Sequence, residues 1–349
     1  MTDPAVKTPG LDDKTHFLLS PASYAEGTAS VRLVETHMAR VFLTDHFAYK
    51  MKKPVRSSYL DFSSLDKRYA VCREELRLNR RLTDGVYLDL VALRVDARGG
   101  LTLGAAPEQG GVPVEWLVKM RRLREDASLP ALIDSATPQS LAPLLQRLCD
   151  FYRDAEVIPL TGSHYLARLR QQCEDWRDRL LAPQLKRELA LDGGEVHAIA
   201  RALLAFLGRE AALLEQRAAT GRIVEGHGDL RPEHCFLTQP PQVIDCLEFN
   251  RTLRCVDPVD ELSYLALECE LLGRRDLGEA ALESYYRCGD DRPPPALARF
   301  YRANRALLRA HLAAAHLQDG EVAEPDKWKN KTRLYLAAAR RYCQSLCDL

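Results

Sequence analysis

The sequence has no run of about 18 consecutive apolar residues, the length a helix needs to cross a bilayer. Its opening stretch, Met1 to Thr15, is polar and interrupted by Pro4, Pro9 and Gly10, with no apolar centre of the kind a secretory signal carries. None of the 10 cysteines belongs to a C-x-x-C pair, so the spacing fits neither a standard structural zinc site nor a dithiol redox motif. Scattered cysteines without a signal read as reduced thiols, and a cytoplasmic location is expected. Neither sign of charge is in excess. Lys+Arg and Asp+Glu are both 49, for a formal net charge of +0, which removes the whole-protein basic field of a nucleic-acid coat or an anionic-membrane binder. Neither nucleic acid nor membrane is therefore expected as a partner. Internal repeats, low-complexity tracts and a G-x-x-x-x-G-K-[ST] phosphate loop are all missing.

What is present is an ordinary globular balance, 46% hydrophobic and 28% charged over 349 residues. At roughly 150 residues per domain this suggests two domains or lobes. Residues 1–25 read as a loosely ordered lead-in. Val31 to Val55 holds two β-type runs broken by Thr44-Asp45-His46, a hairpin signature. Asp61-Phe62-Ser63-Ser64 offers capping hydroxyls to a helix over about 65–82, where Leu65, Tyr69, Cys72, Leu76 and Leu82 recur near helical spacing. Strands are expected over 86–95, 100–103 and 112–120. From Leu141 to Leu214, Ala296 to His316 and Lys331 to Leu346 the pattern turns helical. One loop-and-strand segment, Gly226 to Asp260, interrupts it.

That segment carries the chemistry. Residues 227–237 read His-Gly-Asp-Leu-Arg-Pro-Glu-His-Cys-Phe-Leu and residues 243–250 read Val-Ile-Asp-Cys-Leu-Glu-Phe-Asn. The first run resembles the catalytic loop of aminoglycoside phosphotransferases and related small-molecule kinases, H-G-D-L-H-P-x-N. The second resembles their strand-end metal aspartate. Arg254 to Leu262 is similar to their G-D-P-A-x-D-L-A stretch. The match runs from about Val31 to Leu272. It is most like the kinase-like N-terminal half of two-domain bacterial proteins whose other half carries a P-loop, and no such half is expected here.

The resemblance implies an α+β, bilobal protein-kinase-like fold, with a β-rich N-lobe over 26–118 and a larger, mainly helical C-lobe over 119–349. It implies ATP as phosphoryl donor, Mg²⁺ as metal and a small-molecule hydroxyl as acceptor. Asp229 takes the place of the catalytic base and Asp245 that of the metal ligand. Lys50 matches the strand lysine that meets the α- and β-phosphates, with Glu74 or Glu75 holding it and Glu75 preferred. Lys52 shares a strand face with Lys50 and competes for the phosphate role. Backbone groups of Glu115 and Leu117, in the expected hinge, would meet the adenine edge.

The sequence departs from the pattern at two points. His234 stands where the family has a metal-binding Asn. Imidazole suits Mn²⁺ better than Mg²⁺, so three readings stand: Mg²⁺ held mainly by Asp245, a preference for Mn²⁺, or a pseudokinase that binds a nucleotide or a partner without phosphotransfer. Arg231 replaces the usual His, and its fork can reach a γ-phosphate. A protein kinase fits less well, because the glycine-rich loop and an A-P-E-like segment are missing. Of the remaining polar residues, His227 reads as a structural loop histidine. Asp257 and Asp260 read as braces for the loop and caps for the following helix.

Overall fold

The two β-rich runs around Thr44-Asp45-His46 form the expected hairpin, β2 (Ala39–Leu43) and β3 (Phe47–Lys52), preceded by β1 (Arg32–Glu35). The structure is a computed structural model and describes residues 9–57, 60–104, 111–318 and 324–347. The chain divides into unit 1, Met1–Leu132 with Glu233–Leu253, and unit 2, Ile133–Pro232 with Arg254–Leu349. Unit 1 is built on a sheet and unit 2 on helices, so the class is α+β.

In unit 1 the hairpin is followed by α2 (Leu65–Asn79), β4 (Tyr87–Val95), β5 (Leu101–Gly104) and β6 (Val112–Arg121). The antiparallel sheet runs β1-β2-β3-β6-β4-β5. Ser64 caps α2 by accepting the Lys67 N–H at 3.3 Å. Strand alternation sorts the side chains of β3. Tyr49 and Met51 join an apolar cluster on one face with Phe42, Leu93 and Leu117. Ala48 packs on the other face with Cys72 and Leu76 of α2, and Lys50 and Lys52 follow Ala48 to that side.

The expectation of a loosely ordered lead-in over residues 1–25 is corrected from Gly10 onward. Here α1 (Leu11–Leu19) forms, with Asp13 accepting the Gly10 N–H at 2.8 Å and Leu18 fully buried in the sheet's apolar cluster. Polar composition hid this helix, because much of what docks it is a charge. Lys14 is buried, donating to the Val114 carbonyl at 2.7 Å and to the Glu115 carboxylate at 2.9 Å. Arg68 of α2 donates to the same carboxylate at 2.7 and 3.0 Å. Glu115 thus ties both helices to β6.

Unit 2 contains α3 (Pro138–Asp154), α4 (Gly162–Leu180), α5 (Pro183–Leu189), α6 (Gly193–Arg209), α7 (Ala211–Ala219) and the short β7 (Val224–Glu225). The chain then returns to unit 1 for the hairpin β8 (Cys235–Phe236) and β9 (Gln242–Val243), reaches α8 (Arg251–Arg254) and resumes unit 2. There, β10 (Cys255–Val256) pairs with β7, and α9 (Pro258–Leu271), α10 (Arg275–Cys288), α11 (Pro295–Ala315) and α12 (Pro325–Cys347) follow. Every residue of α9 from Pro258 to Cys269 is buried. It packs against α10 and α11, and a Cβ on Gly278 of α10 would stand 2.6 Å from the Ala266 Cα, so the two backbones touch. Among the described residues no helix is long and apolar enough to cross a membrane, and no disulfide joins the described cysteines.

Replacing Glu115 by Ala leaves two buried cations without their shared carboxylate. Such a loss costs about 3–5 kcal/mol, so urea unfolding of Glu115→Ala should show a deficit of that order. A deficit below about 1 kcal/mol, the value of an exposed ion pair, contradicts this account of how α1 is held.

Candidate active site

Two clusters of functional side chains form, one in each unit. In unit 1, Lys50 and Lys52 project toward α2 and meet Glu75, at 2.8 and 2.6 Å. Glu75 is fully buried, whereas Glu74 pairs with Arg77 on the outside. Lys50 also reaches the Asp245 carboxylate at 2.5 Å, and Lys52 donates to Glu248. Two cations and three carboxylates therefore share one small region. Burial alone would raise the Glu75 pKa, but the two lysines outweigh it and hold the group below its ordinary range. Asp245 follows the same rule, with Lys50 and His234 lowering it well below. Burial alone would depress Lys50, yet Asp245 and Glu75 hold it well above its usual value. At Glu248 burial wins and the pKa rises despite Lys52.

Asp245 adopts a left-handed backbone, φ 64°, a conformation that is costly for a residue with a side chain and persists only where the surroundings enforce it. Tyr87 of β4 accepts the Asp245 N–H at 3.2 Å, and the Asn79 side chain at the end of α2 accepts the Cys246 N–H at 2.9 Å. The β8–β9 pairing, extended by the Ile244 N–H to the His234 carbonyl at 2.9 Å, carries His234 beside Asp245, with Nε2 3.7 Å from Oδ2.

The second cluster, in unit 2, is the loop from Gly226 to Arg231. Glu261 of α9 accepts the backbone N–H groups of His227, at 3.0 Å, and Gly228, and also the Tyr152 hydroxyl at 2.9 Å. A Cβ on Gly226 would sit 2.8 and 2.9 Å from that carboxylate, and Gly228 has φ 91°, so both glycines are required. His227 is fully buried, and its Nδ1 accepts the Asp229 N–H at 3.2 Å, a structural role as expected. Asp229 accepts the Tyr264 hydroxyl at 3.1 Å. Arg231 does not extend away from Asp229; its guanidinium grips that carboxylate at 3.0–3.1 Å. Asp257 caps α9 and binds Arg217, while Asp260 is held by Arg305 with two bonds of 2.8 Å. Bracing the loop thus falls to Glu261, not to those two aspartates.

Glu115 and Leu117 lie elsewhere than expected. Both are interior residues of β6. Leu117 is flanked by Met51 and Val91, so its backbone belongs to the sheet ladder, and Glu115 faces Leu93 with its side chain spent on Lys14 and Arg68. The apolar run that marks this strand continues to Arg121, and the chain leaves the sheet only there. Next to that exit, half-buried Leu123 packs with Val41, Leu43 and Ile244 against the cluster containing Ala48. Sequence reasoning did not single out Glu248, Tyr87, Asn79, Glu261 or Tyr264 as site residues. Glu248 alone had a signal, its fixed spacing after Asp245.

No family model matches the chain. It is 31% identical over 293 residues to the uncharacterized protein Rv2004c of Mycobacterium tuberculosis (strain ATCC 25618 / H37Rv), covering 82% of this chain and 55% of that protein. It therefore spans about half the length of the curated relatives it matches. Among solved structures it is similar to the GDP and kanamycin complex of APH(2'')-IIia, with a TM-score of 0.55, 13% identity and 94% and 98% of the two chains covered. A putative aminoglycoside phosphotransferase from Ralstonia eutropha JMP134 gives a TM-score of 0.54, 12% identity and coverage of 90% and 92%. The chain has the fold of the aminoglycoside phosphotransferases.

Within this kinase-like fold, the donor chemistry of unit 1 can be tested against the metal and nucleotide the fold implies. The Asp245 side chain is 44% exposed and held ionised, and Mg²⁺ typically takes one or two protein carboxylates with phosphate oxygens and water. Among the described residues no group of three or more side chains is placed to hold a metal ion; Asp245, with the neighbouring His234 imidazole, would supply the donors. This set fits a metal that arrives with phosphates.

A carboxylate with a depressed pKa stabilises the fold above its ordinary value, 4.5 for Glu75, and loses that contribution as pH falls through the folded value. Glu75→Gln should therefore cost about 3 kcal/mol at pH 7 and less as the pH is lowered below 4.5 toward the folded value. Urea unfolding of both proteins across that range checks it, and a deficit independent of pH counts against the paired-charge account.

Proposed function

We propose that the chain is an ATP-dependent phosphotransferase acting on a hydroxyl of a small molecule. The observation that carries this reading is the Glu75–Lys50–Asp245 ion-pair chain in unit 1 of a fold that also carries a glycine-hinged loop bearing Asp229. Lys50 holds the α- and β-phosphates, with Lys52 kept beside it by Glu75 and Glu248. The apolar surface of Val41, Leu43, Leu123 and Ile244 takes the purine. Asp245, with His234 alongside, would hold Mg²⁺ or Mn²⁺, which when bound neutralises phosphate charge. Asp229 orients the acceptor hydroxyl. It takes the proton as the acceptor oxygen bonds to the γ-phosphorus and the bond from that phosphorus to the β-phosphate oxygen breaks. Tyr264 and the backbone of the Glu261-braced loop fix the carboxylate for this role.

The His234 position supports the Mn²⁺ preference, since the imidazole stands next to the metal-binding carboxylate. Calorimetric titration of ATP with each metal, followed by turnover against a panel of hydroxyl compounds, tests the reading. ATP should bind with Mg²⁺ or Mn²⁺, and Asp229→Asn should leave that binding intact while lowering turnover by about 10²–10⁴-fold. No ATP binding at millimolar levels with either metal defeats the proposal. If nucleotide binds but Asp229→Asn leaves any turnover unchanged, a binding module without phosphotransfer is the better reading. His234→Asn should move metal preference toward Mg²⁺; an unchanged preference removes His234 from the metal site.

A further inference from the structure

Asp245 lies near the end of a segment, Gln242 to Cys246, whose backbone N–H groups from Val243 onward each meet an acceptor. The first two acceptors are main-chain carbonyls. Val243 donates to Leu82 at 3.1 Å and Ile244 to His234 at 2.9 Å. The last two are side chains. Asp245 donates to the Tyr87 hydroxyl at 3.2 Å and Cys246 to Asn79 Oδ1 at 2.9 Å. Any residue offers a main-chain carbonyl, whereas these two acceptors exist only while positions 87 and 79 carry polar side chains of the right length.

The change of acceptor coincides with the change of backbone. β9 ends at Val243, and Asp245 is left-handed, φ 64°. Where the chain leaves the ladder, two buried side chains take over. Asn79 uses both ends of its amide, because its Nδ2 donates to the Glu75 carbonyl at 2.9 Å. The turn behind α2 adds a further tie, from the Asp84 N–H to the Gln242 side-chain oxygen at 2.7 Å. Glu75, one helical turn before Asn79, pairs with Lys50 at 2.8 Å. One end of α2 therefore sets the place of the strand lysine and of the Asp245 segment together.

Resting on the phosphotransferase reading, we infer that Asn79 and Tyr87 are positioning residues for the metal, acting through the left-handed turn they impose at Asp245. That turn directs the carboxylate so that Oδ1 meets Lys50 at 2.5 Å and Oδ2 stands 3.7 Å from the His234 imidazole. A residue with a side chain is disfavoured in this conformation. Without the two acceptors the backbone relaxes to negative φ, the Cα–Cβ bond swings, and the carboxylate leaves its place beside His234. Groups that orient a metal ligand without touching the metal change its affinity by about 10–100-fold.

The test is a Mn²⁺ titration of the full chain with ADP present. It is followed by water-proton relaxation, which separates Mn²⁺ on the protein from Mn²⁺ on free ADP. Asp245→Asn sets the affinity of a site without its carboxylate. Tyr87→Phe and Asn79→Leu should each weaken Mn²⁺ binding about tenfold or more, toward that value. Asn79→Asp keeps the acceptor and should lose less. Ser64→Ala, which removes the cap at the other end of α2, should lower the urea midpoint and leave Mn²⁺ affinity within about twofold. Circular dichroism checks the fold of each variant. Should Asn79→Leu fail to fold, Tyr87→Phe, which removes a single oxygen, decides. Unchanged Mn²⁺ affinity in a folded Tyr87→Phe or Asn79→Leu protein, or an equal loss in Ser64→Ala, overturns the inference alone. If the unaltered protein binds no Mn²⁺, or binds it as Asp245→Asn does, the metal assignment in the phosphotransferase reading falls with it.

Discussion

Buried charge must be answered by buried charge, and unit 1 is organised around that requirement. Lys50, Lys52, Glu75, Asp245 and Glu248 come from one strand, one helix and the segment after β9. Removing Lys50, Lys52, Glu75 or Glu248 from water is unfavourable unless its partners are already in place, and the partly exposed Asp245 completes the set. The cluster therefore locks α2 to β3, and both to the Asp245 segment. The left-handed backbone of Asp245 is tolerable because Tyr87 and Asn79 enforce it. The same device recurs at Glu115, where a single carboxylate bridges Lys14 of α1 and Arg68 of α2.

Unit 2 solves its own version of the problem with α9. A helix buried on all sides is normally apolar throughout, yet α9 carries Asp260, Glu261, Tyr264 and Glu268. Each is satisfied by its own partner, Glu268 by the Tyr335 hydroxyl, and two of them reach the loop. Glu261 holds its backbone, and Tyr264 holds the Asp229 side chain. The buried helix is thus the scaffold of the loop. Its polar residues set the loop's shape, and its small residues, such as Ala266 against Gly278, let the neighbouring helix close in.

Much of this was legible beforehand. Strand alternation put Lys50 and Lys52 on one face, and the resemblance of the following helix to that of the kinase family favoured Glu75 over Glu74 as their partner. The run His227 to Leu237 with Val243 to Asp245 carried the fold, which the similarity to aminoglycoside phosphotransferase structures supports. What escaped was long-range. The amphipathic stripe of α1 is weak and its anchor is a lysine, so its docking cannot be read from local pattern. Glu115 looked like a hinge residue because an apolar strand gives no internal sign of where it ends. Glu261 and Tyr264 read as helix residues, since nothing near them in sequence names the loop they hold.

The sequence by itself determined the order of elements, the faces of strands and helices, and the chemical identity of the loop and strand-end carboxylates. These are properties of neighbours along the chain, set by periodicities of 2 and 3.6 residues and by which side chains carry charge. Only the tertiary structure decided which charge answers which. It gave Arg231 to Asp229, Glu248 to Lys52, Glu115 to Lys14 and Arg68, and Glu261 to the loop backbone. Pairings of this kind join residues far apart in the chain, except at Asp229 and Arg231. They are fixed by the need to satisfy every charge the fold removes from water.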